Sequence, residues 1–125
     1  MPDQTRLLRI AFLAGAVTDA GALVPMLFPS MAHLMWGFEH PSGSYVFAMG
    51  YGASLMLGWT LLLLWAYQRP LERRFVALLT LVVISGLVAT EVAVVARGDL
   101  DALRMIPTWA IQAVLAGLFG KAYFG

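Results

Sequence analysis

Two carboxylates interrupt apolar runs of this sequence, Asp19 within Leu7 to Phe28 and Glu91 within Phe75 to Ala96. An acid at the centre of a bilayer costs about 2.5–3.5 kcal/mol on insertion scales, so it normally faces protein or water and marks a functional position. Asp19 stands twelve positions past Leu7, about 18 Å into a hydrocarbon core about 30 Å thick. Glu91 stands sixteen positions past Phe75, about 24 Å across and within reach of the interface. Either acid alone offers a proton carrier or a cation ligand, and the two together offer a general acid and base. No Lys, Arg or His lies at the depth of Asp19, so a positive partner has to be a ligand, a proton or an ion.

Other polar groups share that half of the membrane. Gln112 falls about 10 Å in from the nearer end of its run, and Tyr51 and Ser54 about 9 and 14 Å in from theirs. Trp109, Thr18, Thr90 and Thr108 lie on the same side. The opposite half is nearly pure Leu, Val, Ala and Phe, with Thr60 and Thr80 as exceptions. This asymmetry predicts a polar-lined pocket above an apolar plug, with Asp19, Tyr51, Ser54, Glu91, Trp109 and Gln112 as its ligand-binding residues. Asp19 and Glu91 are the candidate catalytic groups. The competing structural role for Asp19 is a hydrogen bond to Gln112 or Tyr51 that pins helix register. Such bonds average only about 0.6 kcal/mol in membrane proteins, little return for burying a carboxyl group.

Four apolar runs must position these residues: 7–28, 45–67, 75–96 and 105–124. Each approaches or exceeds the roughly 20 residues that a spanning helix needs. Inside a bilayer only helices and closed barrels satisfy the backbone, and these runs lack the alternation of barrel strands. The expected fold is therefore all-α, a four-helix transmembrane bundle forming one integral membrane domain over residues 1–125. Composition agrees: 61% of residues are hydrophobic and 12% charged, and the mean hydropathy is +0.81. A soluble domain of 125 residues has too large a surface for its volume to hide that much apolar area.

The first run, with Arg6 and Arg9 at its start and Ala14-Gly15-Ala16 inside, has some features of a signal peptide. It continues well past that site, so an uncleaved helix is expected. Arg6, Arg9, Arg69, Arg73, Arg74 and Lys121 fall on one side of the four spans, Arg97 and Arg104 on the other. The positive-inside rule then predicts cytoplasmic N and C termini, in a multi-pass protein of a bacterial inner membrane or other plasma membrane. Arg outnumbers Lys seven to one, which fits a GC-rich genome.

Small residues recur at helical spacing: Ala11, Gly15 and Ala22; Gly50, Ser54 and Gly58; Gly86, Thr90 and Ala93; Ala116 and Gly120. They are expected to pack the bundle, with homo-oligomer contacts through the same faces as the alternative. Trp36, Phe38, Tyr45, Trp65, Tyr67, Trp109 and Tyr123 fall near predicted interfaces and suit aromatic anchors. In the outer loop 29–44, Ser30 is placed to cap a short interfacial helix through Trp36 that ends at Gly37. His33, Glu39 and His40 share this loop, but Gly37 and Pro41 break the geometry, so no metal site is expected.

There is no cysteine, which excludes disulfides, thiolate chemistry and iron–sulfur clusters. The net charge of +1 and the lack of a basic cluster interleaved with aromatics exclude a nucleic-acid platform. The Arg97-Gly98-Asp99 match is short enough for chance. No phosphate loop, nucleophile elbow or Ser/His/Asp set is present. No cofactor is expected, and the expected partners are membrane lipids and an apolar small molecule. In size and in carrying a membrane-depth acid in the first span, the chain resembles small multidrug-resistance transporters in architecture. Those have Glu where this chain has Asp19, and they lack its long aromatic loop. The leading functional expectation is binding of a largely apolar molecule or lipid in the outer half of the bundle. The alternatives are a proton- or cation-coupled transporter using Asp19, an isomerase or hydratase using Asp19 and Glu91, and an accessory subunit.

Overall fold

A computed structural model describes residues 2–38, 42–98 and 100–125. It contains five helices: α1 Pro2–Leu27, α2 Pro29–Trp36, α3 Gly43–Gln68, α4 Phe75–Ala96 and α5 Ala102–Phe124. Among the described residues there is no strand, and α1, α3, α4 and α5 are each long and apolar enough to cross a membrane. Three of these four outrun the apolar stretches that announce them, because caps and helix ends lie in polar sequence. Asp3 in the first turn of α1 complements the helix dipole. Ser42 accepts from the Tyr45 amide at 3.1 Å to start α3, and Asp101 accepts from Leu103 at 3.1 Å to start α5. Only α4 begins and ends where its apolar run does.

The short helix starts differently from expectation. Ser30 does not cap it; Phe28 holds the cap position without a side-chain bond, and Pro29 opens the helix. Proline suits that place because its missing N–H would be unpaired there anyway. Gly37 ends the helix with φ 80°, donating its amide to His33, as its left-handed conformation allows.

α1 is the hub, packed along α3 on one side and α5 on the other, while α4 packs along α5 and only grazes α1 and α3. α2 folds back over the far ends of α1 and α5, burying Ala32. The core occupies the half of the bundle nearest the two termini. Leu8, Phe12 and Ala16 of α1 meet Leu63 and Ala66 of α3, Val76, Ala77 and Ile84 of α4, and Leu115, Phe119 and Ala122 of α5. The Phe12 and Phe119 rings lie 6.0 Å apart. Gly15 is required beside them, since a Cβ there would stand 2.9 Å from Phe119 Cζ and 3.1 Å from Leu63 Cδ1. Two polar links tie the same half: Trp59 Nε1 donates to Thr80 Oγ1 at 3.0 Å, and Gln4 Nε2 donates to the Ala122 carbonyl at 3.3 Å.

The small-residue stripes of α3 and α4 do not pack the bundle. Ser54, Gly58, Gly86, Thr90 and Ala93 are exposed, and a Cβ added at Gly50, Gly58 or Gly86 would meet nothing. Ser54 and Thr90 instead donate to carbonyls of their own helices, Gly50 at 2.9 Å and Gly86 at 2.9 Å. Within the four long helices, close approach is confined to Gly15 and to Gly52, whose missing Cβ leaves room for Met26 Cε.

Candidate functional site

Helical spacing carries each core stripe straight into the far half, and there its chemistry changes. On α1 the buried positions Leu8, Phe12, Gly15 and Ala16 lead at the next turn to Asp19. On α5, Ala122, Phe119 and Leu115 lead to Gln112. On α4, Thr80 and Ile84 lead, two turns on, to Glu91. All three polar residues are partly buried, and they continue faces that are apolar and closed in the other half.

Gln112 Nε2 donates to Glu91 Oε2 at 3.2 Å, joining α5 to α4. That bond uses half of each group. Glu91 Oε1 and Gln112 Oε1 are buried with no hydrogen-bond partner among the described residues, and so is Trp109 Nε1, one turn from Gln112 on the same helix. Two acceptors are thus left over at the α4–α5 seam, and one donor a turn away on α5. Asp19 makes no hydrogen bond or ion pair among the described residues. It lies on α1, and α5 packs along both α1 and α4. Asp19 and Glu91 are not hydrogen-bonded to each other.

Tyr51 and Ser54 stand elsewhere. Tyr51 is 64% exposed on α3 with its ring 4.6 Å from that of Phe47, and Ser54 is exposed on the same helix. The structure therefore brings Glu91 and Gln112 together across the α4–α5 seam, with Trp109 one turn along α5, while Asp19 stands on α1, which also packs along α5. It leaves Tyr51 and Ser54 pointing away from the bundle interior.

Two polar atoms escape notice in the sequence. Trp36 Nε1 and Tyr45 OH are also buried without partners, within an aromatic cluster at the far end where Phe38 lies 5.9 Å from Trp36 and 5.6 Å from Tyr45. Position near an interface marks these rings as anchors and says nothing of their buried polar atoms. His33 Nδ1 lies 3.0 Å from the Phe38 carbonyl. Among the described residues no three His, Cys, Asp or Glu side chains gather around a common point, while Glu39, His40 and Asp99 lie outside the described residues. Two grooves, of about 440 and 250 Å³, sit at the end that carries the termini, and Asp19, Glu91 and Gln112 line neither.

No protein-family model, curated protein or solved structure matches the chain. What the arrangement can do has to be read from its own chemistry. Buried acceptors without donors cost about 1–3 kcal/mol each, and more if charged. A group that donates two hydrogen bonds, such as a protonated amine, would satisfy Glu91 and Gln112 together, whereas a hydroxyl would satisfy one of them. An acceptor on the same molecule would take the Trp109 N–H.

Proposed function

We propose that this is a multi-pass membrane protein that binds a small, largely apolar molecule with one hydrogen-bond-donating head group in the far half of its bundle. The reading is carried by the α4–α5 seam, where Glu91 and Gln112 each keep an unpartnered buried oxygen, with the unpartnered Trp109 N–H one turn along α5. Asp19 completes the site from α1, and its carboxylate favours an amine over an alcohol as the head group, since no basic side chain stands at its depth. The apolar part of the ligand lies among the surrounding aliphatic side chains. Access is lateral and confined to the far half, where α4 beyond Ile84 adds no buried residue to the core. With the positive-inside rule placing both termini in the cytoplasm, the site belongs to the outer half of the membrane.

The test is thermal unfolding of the detergent-purified chain with a panel of alkylamines, alkanols and lipids. A ligand at a hundred times its dissociation constant stabilises by about 2.7 kcal/mol, enough for a shift of several degrees. Alkylamines should raise the midpoint of the wild type, and Asp19→Asn and Glu91→Gln should each remove the shift. An absence of any stabilising compound, or shifts unchanged in both variants, would remove the site.

A second reading is favoured by the outward glycines of α3 and α4. Gly50, Gly58 and Gly86 gain nothing from lacking a Cβ within the chain, and the Tyr51 phenol and Ser54 share the exposed surface of α3. Association of copies through these faces would use all of them. Cross-linking in bilayers, with Gly58→Leu as the disrupting variant, separates a homo-oligomer from a monomer.

A further inference from the structure

The end of the bundle that carries the termini holds a groove of about 440 Å³ between the start of α1 and the end of α3, lined by Thr5, Arg6, Arg9, Ile10, Leu13 and Tyr67. A second, of about 250 Å³, shares Arg6 and Ile10 and adds Asp3, Leu7 and Lys121. The two flank the same arginine, so they form adjoining recesses around one face of α1. Arg6 and Arg9 sit one helical turn apart, both exposed, and neither forms an ion pair among the described residues, where the single salt bridge is Arg69–Glu72. Arg9 is steadied by Tyr67, its guanidinium carbon 5.9 Å from the ring centroid. Below the arginines the wall becomes apolar, with Ile10 50% and Leu13 45% exposed.

This is a two-part recess: paired guanidinium forks at the membrane surface and a greasy track leading into the bilayer. Guanidinium matches phosphate geometry bidentately, and a membrane-depth aliphatic track matches an acyl chain. Three bases and one acid line the two recesses, so the field repels the ammonium of a zwitterionic head group and attracts a net negative one. We propose that the groove binds one anionic phospholipid, its phosphate between Arg6 and Arg9 and one acyl chain along Ile10 and Leu13. The proposal rests on the membrane reading alone and is independent of the far-half site.

The experiment is native mass spectrometry of the delipidated full chain titrated with phosphatidylglycerol and phosphatidylcholine of matched chains. One phosphatidylglycerol should be retained with about a tenfold preference over phosphatidylcholine. Arg6→Gln with Arg9→Gln should bring the two lipids to parity. Arg6→Gln alone, which leaves the Arg9–Tyr67 contact intact, should lower the preference part-way. Leu13→Trp, which fills the track and keeps both charges, should weaken both lipids. Arg69→Gln with Arg74→Gln, which removes as much charge from the same end, should leave the preference intact. Parity in the wild type, an unchanged preference in the Arg6/Arg9 variant, or equal loss in the Arg69/Arg74 control would overturn the site. Failure of the membrane reading would look different: the chain would stay monodisperse without detergent.

Discussion

Gly15 and Gly21 stand on one helix and look interchangeable in the sequence, yet only the first should lose stability when substituted by Ala. A Cβ at Gly15 would lie 2.9 Å from Phe119 Cζ and 3.1 Å from both Leu63 Cδ1 and Phe119 Cε2. Ring tips normally swing aside at small cost, but Phe119 and Leu63 are both fully buried, and Phe119 is held against Phe12 at 6.0 Å. The methyl group must therefore push α1 away from α5 and α3 or force side chains off their rotamers. Overpacking of this kind costs about 1–3 kcal/mol. At Gly21 a Cβ meets nothing within 4 Å. There Gly→Ala keeps only its helix-propensity gain, at most about 1 kcal/mol in water and less where the unfolded chain stays helical in detergent.

Reversible unfolding in mixed micelles, followed by loss of tryptophan fluorescence and helical circular dichroism, reads both variants on one scale. Gly15→Ala should unfold at lower denaturant by about 1–3 kcal/mol, with Gly21→Ala equal to or above wild type. A further change, Phe119→Leu in the Gly15→Ala background, should recover part of the loss by vacating the ring tip. Equal effects at the two glycines would refute the placement of α1 between α3 and α5, because only that placement distinguishes them. So would a rescue by Phe119→Leu no larger than its effect in wild type.

Two further outcomes follow from single contacts. A double-mutant cycle on Trp59→Phe and Thr80→Val should return a coupling of about 0.6 kcal/mol for the bond that ties α3 to α4, and zero coupling would mean that the two helices do not meet there. Gly37→Ala forces a left-handed residue at φ 80° and places a Cβ 3.1 Å from Arg104 Cδ, disturbing the Arg104 bond to the Leu34 carbonyl, whereas Gly98→Ala at φ 81° has open space. Both substitutions carry the backbone cost of about 1–2 kcal/mol, so amide exchange over α2 should accelerate in Gly37→Ala and stay at the wild-type rate in Gly98→Ala.

The existence and placement of the four long helices were legible because bilayer thickness sets a length that apolar runs of this size announce. Their facing was not. Four-residue spacing of small side chains says that a close approach is permitted, without saying to what, and in this chain Gly15 meets a neighbour while Gly50, Gly58 and Gly86 look outward. The same ambiguity governs the polar residues. Depth alone grouped Tyr51 and Ser54 with Glu91, Trp109 and Gln112, but depth fixes only one coordinate. The other is rotation about each helix axis, set by which stripe the core buries, and on α3 that stripe runs through Ala53, Thr60, Leu63 and Ala66. Ser30 failed as a cap for a local reason, since Pro29 opens the helix one residue before it.

Rotation also explains why the polar set and the loosest packing coincide. The stripes of α1, α4 and α5 begin as core at the termini and end as Asp19, Glu91 and Gln112, so the faces that cement one half carry polar atoms in the other half. The far half spends little on cohesion: Ala32, Ala53, Leu100 and Met105 are buried there, but none joins the continuous core. Trp36, Tyr45, Glu91, Trp109 and Gln112 each keep a buried atom without a partner among the described residues there, and leaving a buried polar group unpaired costs about 1–3 kcal/mol. A bundle concerned only with its own stability would replace such groups with leucine, as the other half has. Retaining them in the half least needed for cohesion is the pattern expected where the missing hydrogen bonds come from outside the chain.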